Sequence, residues 1–400
     1  MIREIQAGID IGTHQVKVIV ALESLVGGKV SHTVIGRGSA ETRGMSHGFI
    51  TNPAEAALSI RTAVNAAEKS AGVKVKRAFV AMGGIGLTGI TTTGSTVITR
   101  ADLEITERDK EKALEAAEAA IPPTLSLNKK IINIIPVEYK ADGKVVWGRV
   151  DGLKAQKLEV KALFITCLEH HLEDLIRAVE KADIEVIDVV AAPIAASFVT
   201  LSKKQKKAGC LLANIGAETL SIMVFENSTP VSLEVFPIGS TDITNDIALG
   251  LKVAIEEAEN IKVGTVTRST YPKKKLDEII TARLDDMFEL IENHLKKIGR
   301  NALLPAGIVI SGGGSSLPGI KELAESNLKL PAKIAEVHFG DDDKGKVKDP
   351  LWAVACGLTI VGFNADGEQE NVGTRSIDDL KKSGAHVLQG IGGLLKKFLP

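Results

Sequence analysis

One pattern occurs twice in this chain of 400 residues, and it constrains the fold more than any other feature. Residues 5–20 read as an apolar strand running into Asp10, a turn at Gly12 and Thr13, and an outgoing strand in which Val16, Val18 and Val20 alternate with other residues. That period of two belongs to a strand with distinct faces. Gly12 lets the backbone approach an anionic ligand with no side chain in the way. The amides of Thr13 and His14 can point at phosphate oxygens, and Asp10, just before the turn, can hold a hydrated Mg²⁺. Taken alone, an ordinary buried hairpin explains this stretch as well. Residues 212–224 repeat it, with Asn214 at the position of Asp10, Gly216 at that of Gly12, then Ala217, Glu218 and Thr219 in the turn and Leu220, Ile222 and Val224 alternating beyond it. Two such elements, one opening each half of the chain, imply an α/β protein of two similar halves facing a cleft, with a nucleotide between their turns. Residues 307–320 add a buried strand, a turn through Gly312, Gly313, Gly314 and Ser315, and a helix, which offers bare backbone for a flat nucleoside.

Composition narrows the function classes. A length of 400 residues and 44% hydrophobic content suit a soluble α/β protein of two or more domains. A net charge of −1 gives no field to attract nucleic acid, and nucleic acid is not an expected partner. Cys167, Cys210 and Cys356 are isolated and lack the paired spacing of a zinc site, so they read as reduced core thiols of a cytoplasmic protein. The N-terminal residues lead directly into a strand, without a signal-peptide pattern. The longest apolar run, residues 189–201, contains Pro193 and is too short to span a bilayer.

Along the chain, Asn52 and Pro53 read as the start of a helix whose apolar face is Ala57, Ile60, Val64, Ala67 and Ala71, ended by Gly72. Residues 84–89 match the dinucleotide-binding glycine pattern, but threonine-rich residues 90–99 read as a strand where that motif needs a helix, so the match is set aside. Residues 86–166 read as strand, helix, strand, strand, with Thr106 and Asp109 capping the helix. Adjacent His170 and His171 cannot share a metal from one helix face and are expected at the surface, as is the basic run 203–207. Ile280, Leu284, Met287, Phe288, Ile291, Leu295 and Ile298 form one stripe of a helix ending at Gly299. Residues 364–383 read as a linker. In the last segment, Val387, Leu388, Ile391, Leu394, Leu395, Phe398 and Leu399 fall within an arc of roughly 140° at about 100° per residue, with Lys396 and Lys397 opposite. That pattern suits a helix lying in an anionic membrane surface; a last helix packed on the protein's own core is the alternative.

The two hairpins and the glycine turn, in this order and spacing, resemble the phosphate-1, phosphate-2 and adenosine motifs of the actin, Hsp70 and sugar-kinase superfamily. Within it the chain resembles the FtsA family of actin-like cell-division proteins. The resemblance implies an actin-like, ribonuclease H-like fold of duplicated halves. Its parts would be subdomain 1A over residues 1–85, 167–198 and 349–363, an inserted subdomain 1C over 86–166, subdomain 2A over 199–246 and 304–348, and subdomain 2B over 247–303. A linker over 364–384 and an amphipathic membrane-targeting helix over 385–400 would follow. The resemblance implies ATP and Mg²⁺ as ligands, with Glu259 and Lys262 at the nucleoside; before it is counted, these two form an ordinary surface ion pair just as well. It further implies self-assembly into filaments on the cytoplasmic face of the cell membrane at the division site. The expected partners are the C-terminal peptide of the tubulin-like protein FtsZ, with Arg283 offering a basic contact, and other divisome proteins. A pilus-assembly relative of the PilM type and a sugar kinase are the competing readings. The chain departs from the superfamily at Asn214, Ala217 and Glu218, where aspartate and glycines are usual, and at Gln15, where a lysine is common and Lys17 is the nearest substitute. Weak or absent ATP hydrolysis is therefore expected, since phosphoryl transfer depends on positioned charge.

Overall fold

Two five-stranded sheets with the same strand order are each built around one of the repeated hairpins. The computed structural model describes residues 4–26, 29–265, 271–339 and 347–369. The first sheet sets Glu185–Ala191, Arg77–Met82, Glu4–Ile11, Gln15–Val26 and Lys29–Glu41 side by side. The second, read from its opposite edge, sets Ala332–Ile334, Ile308–Ser311, Cys210–Ile215, Leu220–Glu226 and Thr229–Phe236 in the same arrangement. In each sheet an antiparallel meander is extended by parallel strands. The inner parallel strands are buried almost throughout, as their unbroken apolar runs require once helices cover both faces.

The helix Pro53–Ala71 makes the first crossover. The Asn52 side chain accepts the amides of Ala54 and Glu55, and Gly72 closes the helix at φ 70°, the left-handed geometry that favours glycine. After Met82 the chain leaves the first sheet and forms a separate one of Thr88–Val97, Lys157–Leu168, Lys129–Ala141 and the short Lys144–Val146. A strand therefore follows residues 84–89, as the threonine-rich sequence predicts. The helix Glu107–Ala119 starts from a capping box in which Asp109 accepts from the Thr106 amide and hydroxyl. It lies on Gly94, where an added Cβ would come 2.1 Å from the Ala117 nitrogen.

The two halves meet through the helices Ala192–Thr200 and Ala353–Gln369. An added Cβ on Gly357 would lie 1.8 Å from the Ala195 oxygen, and one on Gly8 would lie 2.5 Å from the Ala355 oxygen. The core of the first half continues across this contact to Cys210, Leu212, Met223 and Phe225 of the second.

Three sequence expectations change. His171 is buried rather than at the surface: its ring packs 4.5 Å from that of Phe49, and Nε2 lies 3.4 Å from the Gly83 oxygen. Lys206 in the basic run is also buried, with its ammonium 5.2 Å from the rings of both Phe198 and Phe225 and 3.3 Å from Ser197 Oγ. Burial pushes that ammonium down to about 7. Alternation of lysines with the helix turn hides one of them, which composition alone does not reveal. The last helix continues to Gln369, past the expected start of the linker. The segment carrying Val387 to Leu399 lies outside the described residues, and among those that are described no helix is long and apolar enough to cross a membrane.

Two stability outcomes follow from this packing. Gly357→Ala should lower the urea-unfolding free energy by about 3 kcal/mol, because the methyl group has only backbone to displace. His294 is buried against Ser232 Oγ at 2.7 Å, and burial, with Lys297 nearby, pushes its imidazole from 6.5 down to about 4. The unfolded chain then takes up this proton first, so the stability it contributes is complete above about pH 6.5 and is lost as pH falls toward 4. Unfolding free energies from urea titrations at pH 7 and 5 should differ by roughly 1–3 kcal/mol, and His294→Gln should reduce that difference.

Candidate functional site

The two hairpin turns have the same internal geometry. Gly12 donates its amide to the Gln15 oxygen at 3.1 Å, and Gly216 donates to the Thr219 oxygen at 2.8 Å. Neither glycine has positive φ; what each permits is close approach, since an added Cβ would sit 3.0 Å from the Gln15 oxygen or 3.1 Å from the Thr219 oxygen. Among the described residues no acceptor takes the amides of Thr13, His14, Ala217 or Glu218. Unengaged amides on a tight turn form an anion-binding concavity.

Charge is distributed unequally between the turns. Asp10 and Lys17 face each other across the first hairpin and pair at 2.9 Å, with side chains 14% and 9% exposed. Lys17 is thus already matched by a carboxylate. In the second half Asn214 takes the place of Asp10, and Gly312 lies so close that an added Cβ would be 2.4 Å from Asn214 Oδ1. The carboxylate of this half is instead in the turn, at Glu218, where Oε2 accepts the His47 amide and lies 3.5 Å from Ser46 Oγ.

His47 belongs to a small hairpin, Met45–Ser46 paired with Phe49–Ile50. Its turn residues His47 and Gly48 have φ of 50° and 80°, the double left-handed signature of a type I′ turn, and this His-Gly pair is the signal that would have located it. Gly48 donates to Thr13 Oγ1 at 3.1 Å, while the Thr42 hydroxyl donates to the Gly12 oxygen at 2.7 Å. The hairpin tip therefore contacts both turns.

On the second half, Lys262 joins Glu259 at 2.7 Å, Thr244 Oγ1 at 2.8 Å and the Ser240 oxygen at 3.1 Å. The Ser240 amide in turn donates to the Gly216 oxygen, which ties this cluster to the turn. Burial pushes the Glu259 carboxyl up, but hydrogen bonds from Lys262 and Thr244 outweigh it, helped by His14, and hold it below the ordinary value. Neither Thr244 nor Ser240 stands out in the sequence. The strand Ile308–Ser311 delivers the glycine turn, where Gly312 has φ 84° and buried Ser315 donates its hydroxyl to the Gly312 oxygen at 2.7 Å. Arg283 is elsewhere, on the helix Lys273–Lys297, where it makes a two-pronged pair with Asp246 at 2.7 and 3.0 Å and a contact with Asp286 at 3.4 Å. Among the described residues no group of three or more His, Cys, Asp or Glu could hold a metal.

Duplicated sheets, matching turns joined by one hairpin tip and a separate inserted sheet define an actin-like protein. The chain belongs to the FtsA family of cell-division proteins. It matches the family described as Cell division protein FtsA over residues 211–357 and the SHS2 domain inserted in FTSA over residues 84–166. It is 30% identical to the cell division protein FtsA of Bacillus subtilis (strain 168), covering 89% of this chain and 82% of the relative. In fold it is similar to a chain of the PilM-PilN type IV pilus biogenesis complex, with TM-score 0.65 and 18% identity over 89% of this chain and 98% of that one. It is also similar to MreB5 of Spiroplasma citri bound to ADP, with TM-score 0.52 and 13% identity over 92% and 99%.

Because the Asp10–Lys17 pair is largely buried, removing one partner should cost more than removing both. Lys17→Met alone should lower stability by about 3–5 kcal/mol, and adding Asp10→Asn should recover most of that in urea unfolding. Additive losses would show that the two groups do not interact.

Proposed function

We propose that this cell-division protein binds ATP in the cleft, polymerises, and tethers FtsZ to the cytoplasmic face of the membrane at the division site, among other divisome proteins. What carries the reading is the pair of matching turns, each with unengaged amides, brought together where the tip of the 45–50 hairpin bonds both Thr13 and Glu218. The amides of Thr13, His14, Ala217, Glu218 and Thr219 would hold phosphates beside Gly12 and Gly216. Glu259 and Lys262 would take the ribose edge, and the turn from Gly312 to Ser315 would take the base. The ADP bound by MreB5, which shares the fold, supports a nucleotide here.

The donor set suits a polyphosphate better than a protein-held metal. Asp10 is the carboxylate that would contact Mg²⁺, and it would do so by sharing with Lys17. Mg²⁺ needs only one or two carboxylates when phosphates and water complete its shell. With Asn214 neutral and Glu218 facing the phosphates, charge is poorly placed for hydrolysis, so turnover is slow or absent. Arg283 would meet the acidic C-terminal peptide of FtsZ, in competition with Asp246. The segment with Val387, Leu388, Ile391, Leu394, Leu395, Phe398 and Leu399 apolar and Lys396 and Lys397 basic would lie in the membrane surface, and a filament presenting many copies would bind by avidity.

The full chain should bind ATP with Mg²⁺, release phosphate slowly, and pellet with anionic vesicles carrying an FtsZ tail peptide with it. Deleting residues 386–400 should leave nucleotide binding intact and abolish pelleting. Rapid phosphate release abolished by Asp10→Ala overturns the slow-turnover reading. Pelleting of the truncated chain at moderate salt overturns the anchor.

A further inference from the structure

The hairpin over residues 45–50 touches both repeated turns with its tip. A type I′ turn presents the consecutive amides of His47 and Gly48 at its tip. One points at the Glu218 carboxylate and the other at the Thr13 hydroxyl, so the tip bridges the two halves at the level of the phosphate-binding turns. Ser46 Oγ and His47 Nδ1, at 3.5 and 3.7 Å from Glu218 Oε2, face the same carboxylate. The His47 amide makes the bond, while Ser46 Oγ and His47 Nδ1, joined to each other at 3.0 Å, stand just beyond it, an arrangement that also suits a phosphate oxygen. The tip has little freedom to do anything else: the His47 oxygen accepts the Ile85 amide at 3.2 Å, and an added Cβ on Gly48 would come 2.3 Å from the Gly84 Cα.

We propose that Ser46, His47 and Gly48 are a third phosphate-binding element, which Glu218 occupies as a built-in anion until the terminal phosphate of a nucleoside triphosphate replaces it. The inference rests on the nucleotide reading above and sharpens it, because it makes Glu218 the residue that separates triphosphate from diphosphate. A diphosphate leaves the Glu218 contact in place; a triphosphate must displace it. The carboxylate therefore subtracts from triphosphate affinity, and the released hairpin tip gives part of that back by closing on the new anion.

The test uses the full chain, as wild type and as Glu218→Gln, with Glu218→Asp as a second variant that keeps the charge but shortens its reach. ADP and the non-hydrolysable analogue AMP-PNP, each with Mg²⁺, are the probes. Amide hydrogen exchange over residues 46–48 is followed in the free and bound protein, and affinities are measured by calorimetry. In free wild type the His47 amide should be protected, and both variants should lose much of that protection, because glutamine accepts more weakly and aspartate falls short, while the Gly48 amide on Thr13 serves as the internal control. AMP-PNP should restore it in Glu218→Gln, whereas ADP should not. The AMP-PNP affinity relative to ADP should rise about tenfold in Glu218→Gln, the change expected for removing a charged competitor from one hydrogen-bonded site. Unchanged exchange in the free variants overturns the latch. An unchanged affinity ratio, with both nucleotides bound, overturns the phosphate assignment. Absence of nucleotide binding in wild type and variants overturns the nucleotide reading and the phosphate assignment with it; it is told apart from failure of the latch because the latch is read in the free protein.

Discussion

The contact between the helices Ala192–Thr200 and Ala353–Gln369 fixes the relation of everything else. It is made of residues with almost no side chain, so the two backbones approach until Gly357 touches the Ala195 carbonyl. Gly8 lets the last helix settle on the central strand of the first sheet in the same way. Interiors packed at crystal-like density deform little, and a contact with no side chain to rearrange has few alternative states. Cys210, Leu212 and Met223 extend the first half's core into the second, so the halves share apolar burial as well as this backbone contact.

Duplication gives the cleft its shape, while divergence gives it its charges. Both turns close the same hydrogen bond from glycine to the residue three positions on. Asp10 keeps its carboxylate because Lys17 is directly across the hairpin to match it. Among the described residues no ion pair involves the Asn214 position; its neighbours are Ser221 across the hairpin, Ser311 on the parallel strand and the bare Gly312, all neutral. The second half's carboxylate at Glu218 stands instead where backbone and hydroxyl donors from the other half can reach it.

The parts of this protein that repeat were legible from the residues. A period of two around Asp10 and again around Asn214 established the hairpins, and their order with the Gly312 turn led to the actin-like fold. Asn52, Thr106 and their partners marked helix starts because capping is local chemistry. Where reading along the chain failed, the deciding contact lay far away in sequence. His171 is buried because Phe49 comes to it, and Lys206 because Phe198 and Phe225 surround its stem. Pairing of Glu218 with His47 spans 171 residues and leaves no trace in spacing. The bidentate hold of Asp246 on Arg283 was equally invisible.

The same hairpin that meets the two repeated turns at its tip meets the inserted module at its base. Phe49 packs on His171 and lies beside Gly86, where Leu168 also sits, so these residues form the point at which the chain leaves the first sheet for the insertion and returns from it. Gly83 accepts from the His171 ring, and Ile85 donates to the His47 carbonyl. Tip and base are only a few residues apart, with Gly48 pressed against Gly84 and no side chain between them to absorb movement. A displacement of the tip large enough to free Glu218 must therefore move Gly84 or strain the type I′ turn, and the first is the softer response because Gly84 is itself a glycine at φ 87°. The insertion also meets the second half directly, through the strand Thr229–Phe236 and the Thr88 hydroxyl on Glu234, so the Glu218 carboxylate and the insertion are joined by the short hairpin on one side and by this strand contact on the other.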